Sequence, residues 1–304
     1  DLWQKSCDEP QGPYVNKTPR VFGNWLWQAN LPACAKTIQS MYACNLCELT
    51  ESAQKHARPV NILFVGDSLT FQTFSSAVLQ YGVAKQVSTE AYQVNRDAAS
   101  QVNRRYMASA ELCQGKVILR FVRNDRLTEG ACEYCADFWE YVDSSNVLLF
   151  NRGAHYVSDE ETQDQMYNFT MRLAFSQKQH GQLIFWRNTA PGHEGCANFT
   201  KPFQRVADPP ETSIPTSVSS WSFAHETIVK QNKLMVNILN MGKLTFHMID
   251  AYSVTLDRQD RHQGNAGPSG MSDCLHYCLP GPPDLWLQIW IYKLSLVYNS
   301  DSLF

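Results

Sequence analysis

The sequence lacks the features that mark several large classes of protein. No apolar run approaches the roughly 18 residues needed to cross a bilayer, so no membrane span is predicted within the 304 residues. Charged residues make up only 18% of the chain and the net charge is −3, which excludes the basic face of a nucleic-acid-binding protein. Internal repeats and low-complexity tracts are also absent. With 44% hydrophobic residues, the chain can bury a sizeable core.

Cysteine, by contrast, is abundant. Glycosylation sequons begin at Asn16, Asn168 and Asn198. Together with an even cysteine count, they predict a secreted protein, or one in the secretory-pathway lumen such as the Golgi, with up to five disulfides. Two C-x-x-C pairs also fit zinc, but their wide separation favours disulfides, and we predict no metal. The ten cysteines are Cys7, Cys34, Cys44, Cys47, Cys113, Cys132, Cys135, Cys196, Cys274 and Cys278.

The organisation of the chain predicts one α/β domain over residues 1–304, and we expect a monomer. Residues 1–58 show no sustained periodicity and are interpreted as a disulfide-pinned N-terminal wrap around an α/β core at 59–304. In the core, short apolar runs alternate with helical patterns, which is typical of a three-layer α/β/α sandwich with a central, mostly parallel sheet. The predicted strands are 60–65, 116–122, 146–150, 182–186 and 244–249, and the predicted helices lie near 69–80, 160–179 and 223–241. Exposed loops are predicted at 207–220 and 258–272.

Ser68 is the first candidate for chemistry. It follows the first predicted strand in the string Gly66-Asp67-Ser68-Leu69 and begins a predicted helix. Helix N-termini present outward N–H groups that favour negative charge, so a serine alkoxide or a tetrahedral oxyanion would be stabilised there. The alternative is that Ser68 only caps the helix.

Asp273 and His276 form the second candidate. One short turn can aim both side chains at the same place, and the aspartate can then fix the imidazole tautomer and stabilise its charged form. The alternative is a surface loop with an incidental histidine, although the flanking Cys274 and Cys278 favour a rigid turn. A serine with a late Asp-x-x-His predicts serine-dependent acyl transfer.

These motifs resemble those of the GDSL/SGNH hydrolase superfamily. The string from Asp273 to Gly281, followed by Pro283-Asp284-x-Trp286, is similar to the narrower PC-esterase group, which includes the plant trichome-birefringence-like polysaccharide O-acetyltransferases. Segments 147–155 and 185–193 are similar as well. The N-terminal part lacks the Asn-Gly-Arg and Trp-Arg-Trp signatures of the plant proteins.

The resemblance implies an SGNH hydrolase-like fold, no cofactor, and a role for several residues. Ser68 would be the nucleophile, His276 the general base and Asp273 its orienting carboxylate. The oxyanion hole would use the Ser68 N–H with Asn151 and Gly153; alternatively, Asn151 only terminates its strand. Arg187 and His193 would contact the sugar or the acetyl group, or would be structural loop residues. His155 is a weaker candidate than these, and a packed histidine is the favoured alternative.

Four functions fit this pattern. The leading hypothesis is a carbohydrate O-acetyl esterase that acts on O-acetylated cell-wall polysaccharide or oligosaccharide through an acetyl-Ser68 intermediate. A polysaccharide O-acetyltransferase with the same three residues is the alternative, since the two enzymes differ only in the acceptor. A non-catalytic glycan-binding protein and a lipase of the broader superfamily are further alternatives.

Overall fold

The structure is a computed structural model. It describes residues 44–53, 59–90, 107–130, 132, 134–156, 158–202, 225–264 and 273–300. Several predictions fall outside these ranges: most of the N-terminal wrap, the loop at 207–220, Asn16, Cys7 and Cys34.

Nine strands and seven α-helices are defined in the described part of the chain. The strands are β1 (Val60–Gly66), β2 (Gly82–Glu90), β3 (Met107–Leu112), β4 (Val117–Arg123), β5 (Val147–Phe150), β6 (Leu183–Arg187), β7 (His247–Ile249), β8 (His262–Gly264) and β9 (Asp273–Tyr277). The helices are α1 (Leu46–Ala53), α2 (Ser68–Tyr81), α3 (Trp139–Val142), α4 (Asp159–His180), α5 (His225–Met241), α6 (Ala251–Thr255) and α7 (Pro282–Ser300).

A seven-stranded sheet forms the centre, in the order β2-β3-β4-β1-β5-β6-β7. The five strands from β4 to β7 run parallel, and β3 and β2 add an antiparallel edge. This confirms the predicted mixed α/β architecture with a mostly parallel sheet. A separate two-stranded sheet pairs β8 with β9.

Strand β1 shows why the sheet is covered on both sides. Ile62 and Phe64 pack into the cluster that contains Trp290 of α7, whereas Leu63 and Val65 pack into the cluster on the opposite face. Successive side chains of a strand point to opposite faces, so a continuous apolar run requires helices on both. Helices α2 and α7 cover one face, and α4 and α5 cover the other.

The boundaries of α4 follow from its sequence. Ser158 Oγ accepts a hydrogen bond from the Glu161 N–H at 3.2 Å, which is the N-cap geometry that the predicted capping box requires. At the other end Gly181 adopts the left-handed conformation, with φ 66°. Glycine has no Cβ to oppose this conformation, so the helix stops there.

Disulfides tie the periphery to the core. Cys47 in α1 is bonded to Cys113, which fastens the one described part of the N-terminal wrap to the end of β3. Cys132 is bonded to Cys135, and Cys196 to Cys274. Each of the two C-x-x-C pairs thus contains disulfide-bonded cysteine, so the disulfide interpretation is confirmed over the zinc one.

None of the described helices is both long enough and apolar enough to cross a membrane.

Candidate active site

Ser68 lies at the carboxyl end of β1, where α2 begins. The capping role belongs to its neighbour: Asp67 Oδ1 accepts hydrogen bonds from the Leu69 N–H at 3.0 Å and the Thr70 N–H at 3.2 Å. Asp67 therefore satisfies the first N–H groups of the helix, and the Ser68 hydroxyl is left for another partner. The alternative that Ser68 only caps the helix does not describe this geometry.

Gly66 makes the turn before Ser68 possible. A Cβ at this position would overlap Thr70 Oγ1 and would lie 3.0 Å from the Asn151 carbonyl oxygen. Only a residue without a side chain lets the chain pass this close to both groups and turn at once into α2.

Three side chains far apart in the sequence meet at this turn. Ser68 Oγ lies 2.6 Å from His276 Nε2, and His276 Nδ1 lies 2.8 Å from Asp273 Oδ2. Ser68 and His276 are nearly buried, at 5% and 9% exposure. In such an arrangement the imidazole can take the hydroxyl proton, while the carboxylate fixes the tautomer that leaves Nε2 as the acceptor.

Asp273 is held by its own turn as well as by the histidine. Its Oδ1 accepts hydrogen bonds from the Leu275 N–H at 3.1 Å and the His276 N–H at 3.0 Å. Burial alone would raise the pKa of Asp273, but the hydrogen bonds and the charge of His276 outweigh it and lower the pKa below its usual range. Asp273 is therefore ionised at neutral pH and can stabilise an imidazolium.

Two backbone N–H groups remain candidates for oxyanion donors. Within the described part of the chain, neither the Ser68 N–H nor the Gly153 N–H makes a hydrogen bond. Gly153 is at a tight contact, because a Cβ there would overlap Thr189 Oγ1. Unengaged N–H groups beside a nucleophile are what an oxyanion requires.

Asn151, predicted for the oxyanion hole, is engaged by the protein. Its Nδ2 donates both of its protons, to the Arg187 carbonyl oxygen at 2.9 Å and to Thr189 Oγ1 at 3.0 Å. An amide nitrogen has two protons, so none is left for an oxyanion. The geometry favours the alternative in which Asn151 ties the end of β5 to the loop after β6.

Arg187, predicted to contact the sugar or the acetyl group, is engaged by the protein as well. It is fully buried, at 0% exposure, and cannot reach a glycan in this conformation. Its guanidinium donates to Thr70 Oγ1 at 3.0 Å and lies 3.6 Å from Asp67 Oδ1. Burial lowers its pKa to about 10, which leaves it charged at neutral pH. Arg187 contacts the start of α2, and this agrees with the alternative that it is a structural residue.

His193 is likewise engaged by the protein. Its Nδ1 lies 2.7 Å from His262 Nε2, and its Nε2 donates to the Leu256 carbonyl oxygen at 2.8 Å. His262 Nδ1 in turn donates to the carbonyl oxygen of His276 at 3.1 Å. His193 therefore belongs to the support of β9, and the structural alternative describes it.

The segment that carries His276 is anchored at several points. The bond between Cys196 and Cys274 joins β9 to the loop after β6, and the His193 N–H donates to the Cys274 carbonyl oxygen at 3.0 Å. Cys278, at the other end of β9, is also disulfide-bonded.

Gln72 is a support residue that sequence reasoning missed. It lies one turn after Ser68 in α2, and its amide pairs with the backbone of Tyr277: the Tyr277 N–H donates to Gln72 Oε1 at 3.1 Å, and Gln72 Nε2 donates to the Tyr277 carbonyl oxygen at 2.5 Å. Gln72 is wholly buried, and this marks it, since a buried amide needs partners. It docks β9 on the helix that begins with Ser68.

The two described sequons lie on the surface. Asn168 is exposed in the middle of α4, and Asn198 is exposed at the end of the short helix Cys196–Asn198. Both side chains are therefore accessible to a modifying enzyme.

The chain resembles one family of known proteins in its C-terminal half. Residues 169–293 match the model of PC-Esterase, described as a GDSL/SGNH-like acyl-esterase family found in Pmr5 and Cas1p. This confirms the resemblance predicted from the motifs. The matched residues include Asp273 and His276, whereas Ser68 precedes them.

Curated relatives are similar over larger parts of the chain. The protein trichome birefringence-like 38 of Arabidopsis thaliana is 22% identical over 265 residues, which cover 79% of this chain and 67% of the relative. The probable xylan O-acetyltransferase 11 of Oryza sativa subsp. japonica is 23% identical and covers 60% of this chain and 53% of the relative. Trichome birefringence-like 4 of Arabidopsis thaliana is 32% identical over 108 residues, but these span only 22% of its own length.

Proposed function

We propose that this protein moves acetyl groups at the hydroxyls of a polysaccharide through an acetyl-Ser68 intermediate. The observation that carries the proposal is the continuous contact from Ser68 Oγ to His276 Nε2 at 2.6 Å and from His276 Nδ1 to Asp273 at 2.8 Å. The relatives whose names specify xylan O-acetyltransfer support acetyl and polysaccharide as the reacting groups.

The first half-reaction forms the acyl-enzyme. Ser68 Oγ attacks the carbonyl carbon of an acetyl ester, and its proton passes to His276 Nε2. The tetrahedral intermediate then collapses, the bond to the sugar oxygen breaks, and His276 returns the proton to that oxygen. Asp273 stabilises the imidazolium that exists between these two proton transfers.

The developing oxyanion needs donors that are in place beforehand. The Ser68 N–H lies at the N-terminus of α2, where the helix dipole favours negative charge, and the Gly153 N–H follows the neighbouring strand. We assign these two groups to the oxyanion hole.

The acceptor in the second half-reaction decides which enzyme this is. Attack by water on acetyl-Ser68 releases acetate, and the protein is then the acetyl esterase that the sequence predicts. Attack by a sugar hydroxyl yields an acetylated sugar, and the names of the relatives favour this second candidate. In both cases the acceptor loses its proton to His276, which passes it to the departing Ser68 Oγ.

The disulfides of the described core and the exposed sequons at Asn168 and Asn198 support a place in the secretory pathway.

The test is to incubate the purified protein with acetylated xylan, mannan and pectin fragments, with and without an unacetylated acceptor oligosaccharide. We expect acetyl groups to leave the donor, as acetate or as newly acetylated acceptor, and intact-mass analysis after rapid quenching to show an acetyl group on Ser68. Ser68→Ala should lower the rate by roughly 10⁴-fold or more while the fold remains.

The outcome also separates the two directions. Acetate alone identifies an esterase, and acetylated acceptor with little acetate identifies a transferase. A folded Ser68→Ala protein with near-normal turnover would overturn the whole proposal, because the reaction would then proceed without an acetyl-Ser68 intermediate.

A further inference from the structure

A second pair of carboxylate and imidazole lies outside the proposed triad. His155 Nε2 is 3.4 Å from Asp125 Oδ2. Asp125 is held in place by Arg123, whose Nε and Nη2 donate to the two carboxylate oxygens at 2.9 and 3.2 Å. The proposed mechanism gives this pair no role.

The sheet topology places this pair over the end of β1. Asp125 follows β4 and His155 follows β5, and β1 lies between these two strands. The Asn124 N–H donates to the Gly66 carbonyl oxygen, and the Asn151 N–H to that of Val65. A contact between residues that follow β4 and β5 must therefore cross the carboxyl end of β1, where Ser68 starts α2.

Packing on the other side of His155 leads to the same place. Its neighbour Ala154 is buried in one apolar cluster with Leu69 and Leu275. Leu69 follows Ser68 and Leu275 precedes His276, so the chain at Ala154 borders both. The carboxyl end of β1 at Ser68 thus has the His276 pair on the side of β9 and the His155 pair across β4 and β5.

The two ring nitrogens of His155 differ in their surroundings. Nε2 is buried against Asp125, while 36% of the side chain is exposed. Nδ1 is not among the buried polar atoms and has no hydrogen bond to any residue that the structure describes. Nε2 faces Asp125 Oδ2 at 3.4 Å without making a hydrogen bond, and in the tautomer that carries its proton on Nε2 the ring presents Nδ1 as an acceptor.

The groups around Asp125 affect its pKa in opposite directions. Burial raises its pKa, and the charges of His155 and Arg123 oppose the rise, while the Asp67 carboxylate adds to it. That Asp125 experiences Asp67, the residue before Ser68, agrees with its position over the end of β1.

We propose that the Asp125–His155 pair binds a hydroxyl group of the sugar ring whose neighbouring oxygen carries or receives the acetyl group. This inference rests on the proposed function and names the residues that recognise its sugar. The reacting oxygen must face His276, which handles its proton. An adjacent hydroxyl on the same ring would then donate to His155 Nδ1, a contact that water or a simple ester cannot make.

The experiment compares a sugar ester with a small ester. The variants are His155→Phe, which keeps a ring but has no acceptor, and His155→Asn, whose Oδ1 keeps an acceptor close to the backbone. The matched control is His180→Phe, because His180 also lies near a carboxylate, 3.8 Å from Asp143 Oδ1, at the far end of α4. The substrates are acetylated xylo- and manno-oligosaccharides and 4-nitrophenyl acetate.

For His155→Phe we expect kcat/KM for the acetylated oligosaccharide to fall by about tenfold, the effect of one lost hydrogen bond. The rate of Ser68 acetylation by 4-nitrophenyl acetate should be unchanged. His155→Asn should recover part of the loss, and His180→Phe should behave like the unmodified protein with both substrates.

Equal losses on both substrates would make His155 a residue that merely maintains the site, and no loss on either would remove it from the site; each overturns the inference while the proposed function stands. If the unmodified protein forms acetyl-Ser68 from neither kind of ester, the proposed function fails, and the inference falls with it.

Discussion

At the scale of the residue, the ion pair beneath Ser68 has the largest energetic weight. Arg187 and Asp67 are both at 0% exposure, and Arg187 also lies 4.9 Å from the centre of the Trp286 ring. Two charges removed from water offset each other in part, and the removal of one leaves the other buried without a counterion, which is costly. Asp67 at the same time caps α2, so the charge of Arg187 bears on the position of Ser68.

Arg187→Met is therefore expected to lower the free energy of unfolding by roughly 3–5 kcal/mol, since it leaves Asp67 as a buried carboxylate without its counterion. Urea unfolding followed by circular dichroism measures the change. Lys230→Met is the control: its ion pair with Asp159 is exposed and should contribute about 1 kcal/mol or less. An unchanged stability for Arg187→Met with a raised KM for oligosaccharide would instead return Arg187 to the substrate site.

At the scale of the element, β9 depends on anchors outside its own sheet. It pairs only with the three-residue β8 in the described structure. The Cys196–Cys274 bond, Gln72 and His262 hold the rest of it. A short strand with one small partner has little stability of its own, so these anchors set the position of His276.

The double variant Cys196→Ser/Cys274→Ser should consequently lose activity before it loses the fold. We expect a loss of about tenfold or more in kcat at temperatures where the circular dichroism spectrum is still native. Cys47→Ser/Cys113→Ser removes a bridge on the other side of the sheet and should lower the melting temperature with little effect on kcat. A parallel loss of activity in both double variants would show that the bridges act on global stability alone.

The elements differ in how far the sequence predicts them. The strands β1, β4, β5 and β6 are apolar on both faces, and this pattern leaves no alternative to a covered parallel strand. The antiparallel strand β3 alternates weakly as Met-Ala-Ser-Ala-Glu-Leu and gives no such signal. Helix α7 is apolar on most sides, with Trp286, Trp290 and Leu294 all buried, so it shows no single stripe from which a helix is predicted.

The residues of the site also differ in how far the sequence predicts them. Ser68, Asp273 and His276 are found by motif and spacing, because nucleophile, base and carboxylate follow fixed rules. Whether Asn151, Arg187 and His193 have free donors depends on which carbonyl and carboxylate groups surround them. Those partners come from other parts of the chain, so only the folded structure shows that the donors already make hydrogen bonds.

At the scale of the whole molecule, pH acts on buried groups whose protonation changes on unfolding. Burial and the neighbouring His193 hold the pKa of His262 well below 6.5. The unfolded chain then takes up a proton below about pH 6.5 that the folded state refuses, so acid favours unfolding. Asp273, whose pKa is lowered, adds to this loss further down, as the pH falls below 3.8. Asp125, whose pKa is raised, works in the opposite direction.

We therefore expect the melting temperature to fall as the pH is lowered from 7 to about 5, and His262→Phe to flatten this part of the curve. Differential scanning calorimetry at constant ionic strength measures both proteins. Phenylalanine keeps the ring that packs on Tyr277 at 4.2 Å between centroids but loses the hydrogen bonds to His193 and His276, so the slope with pH is compared and not the absolute melting temperature. The same slope in both proteins would show that His262 does not contribute to it.

The hydrogen bonds around His193 and His262 determine how many protons the two rings must carry. The outer partners, the carbonyl oxygens of Leu256 and His276, can only accept, so each requires an N–H from its ring. The contact between the rings requires a third proton, whereas two neutral imidazoles carry two. The complete set of bonds thus requires one proton more than two neutral rings hold. Without it, two lone pairs face each other and one bond of the series is lost. One of the anchors of the strand that presents His276 to Ser68 therefore depends on an exchangeable proton, at a place the reaction itself does not touch.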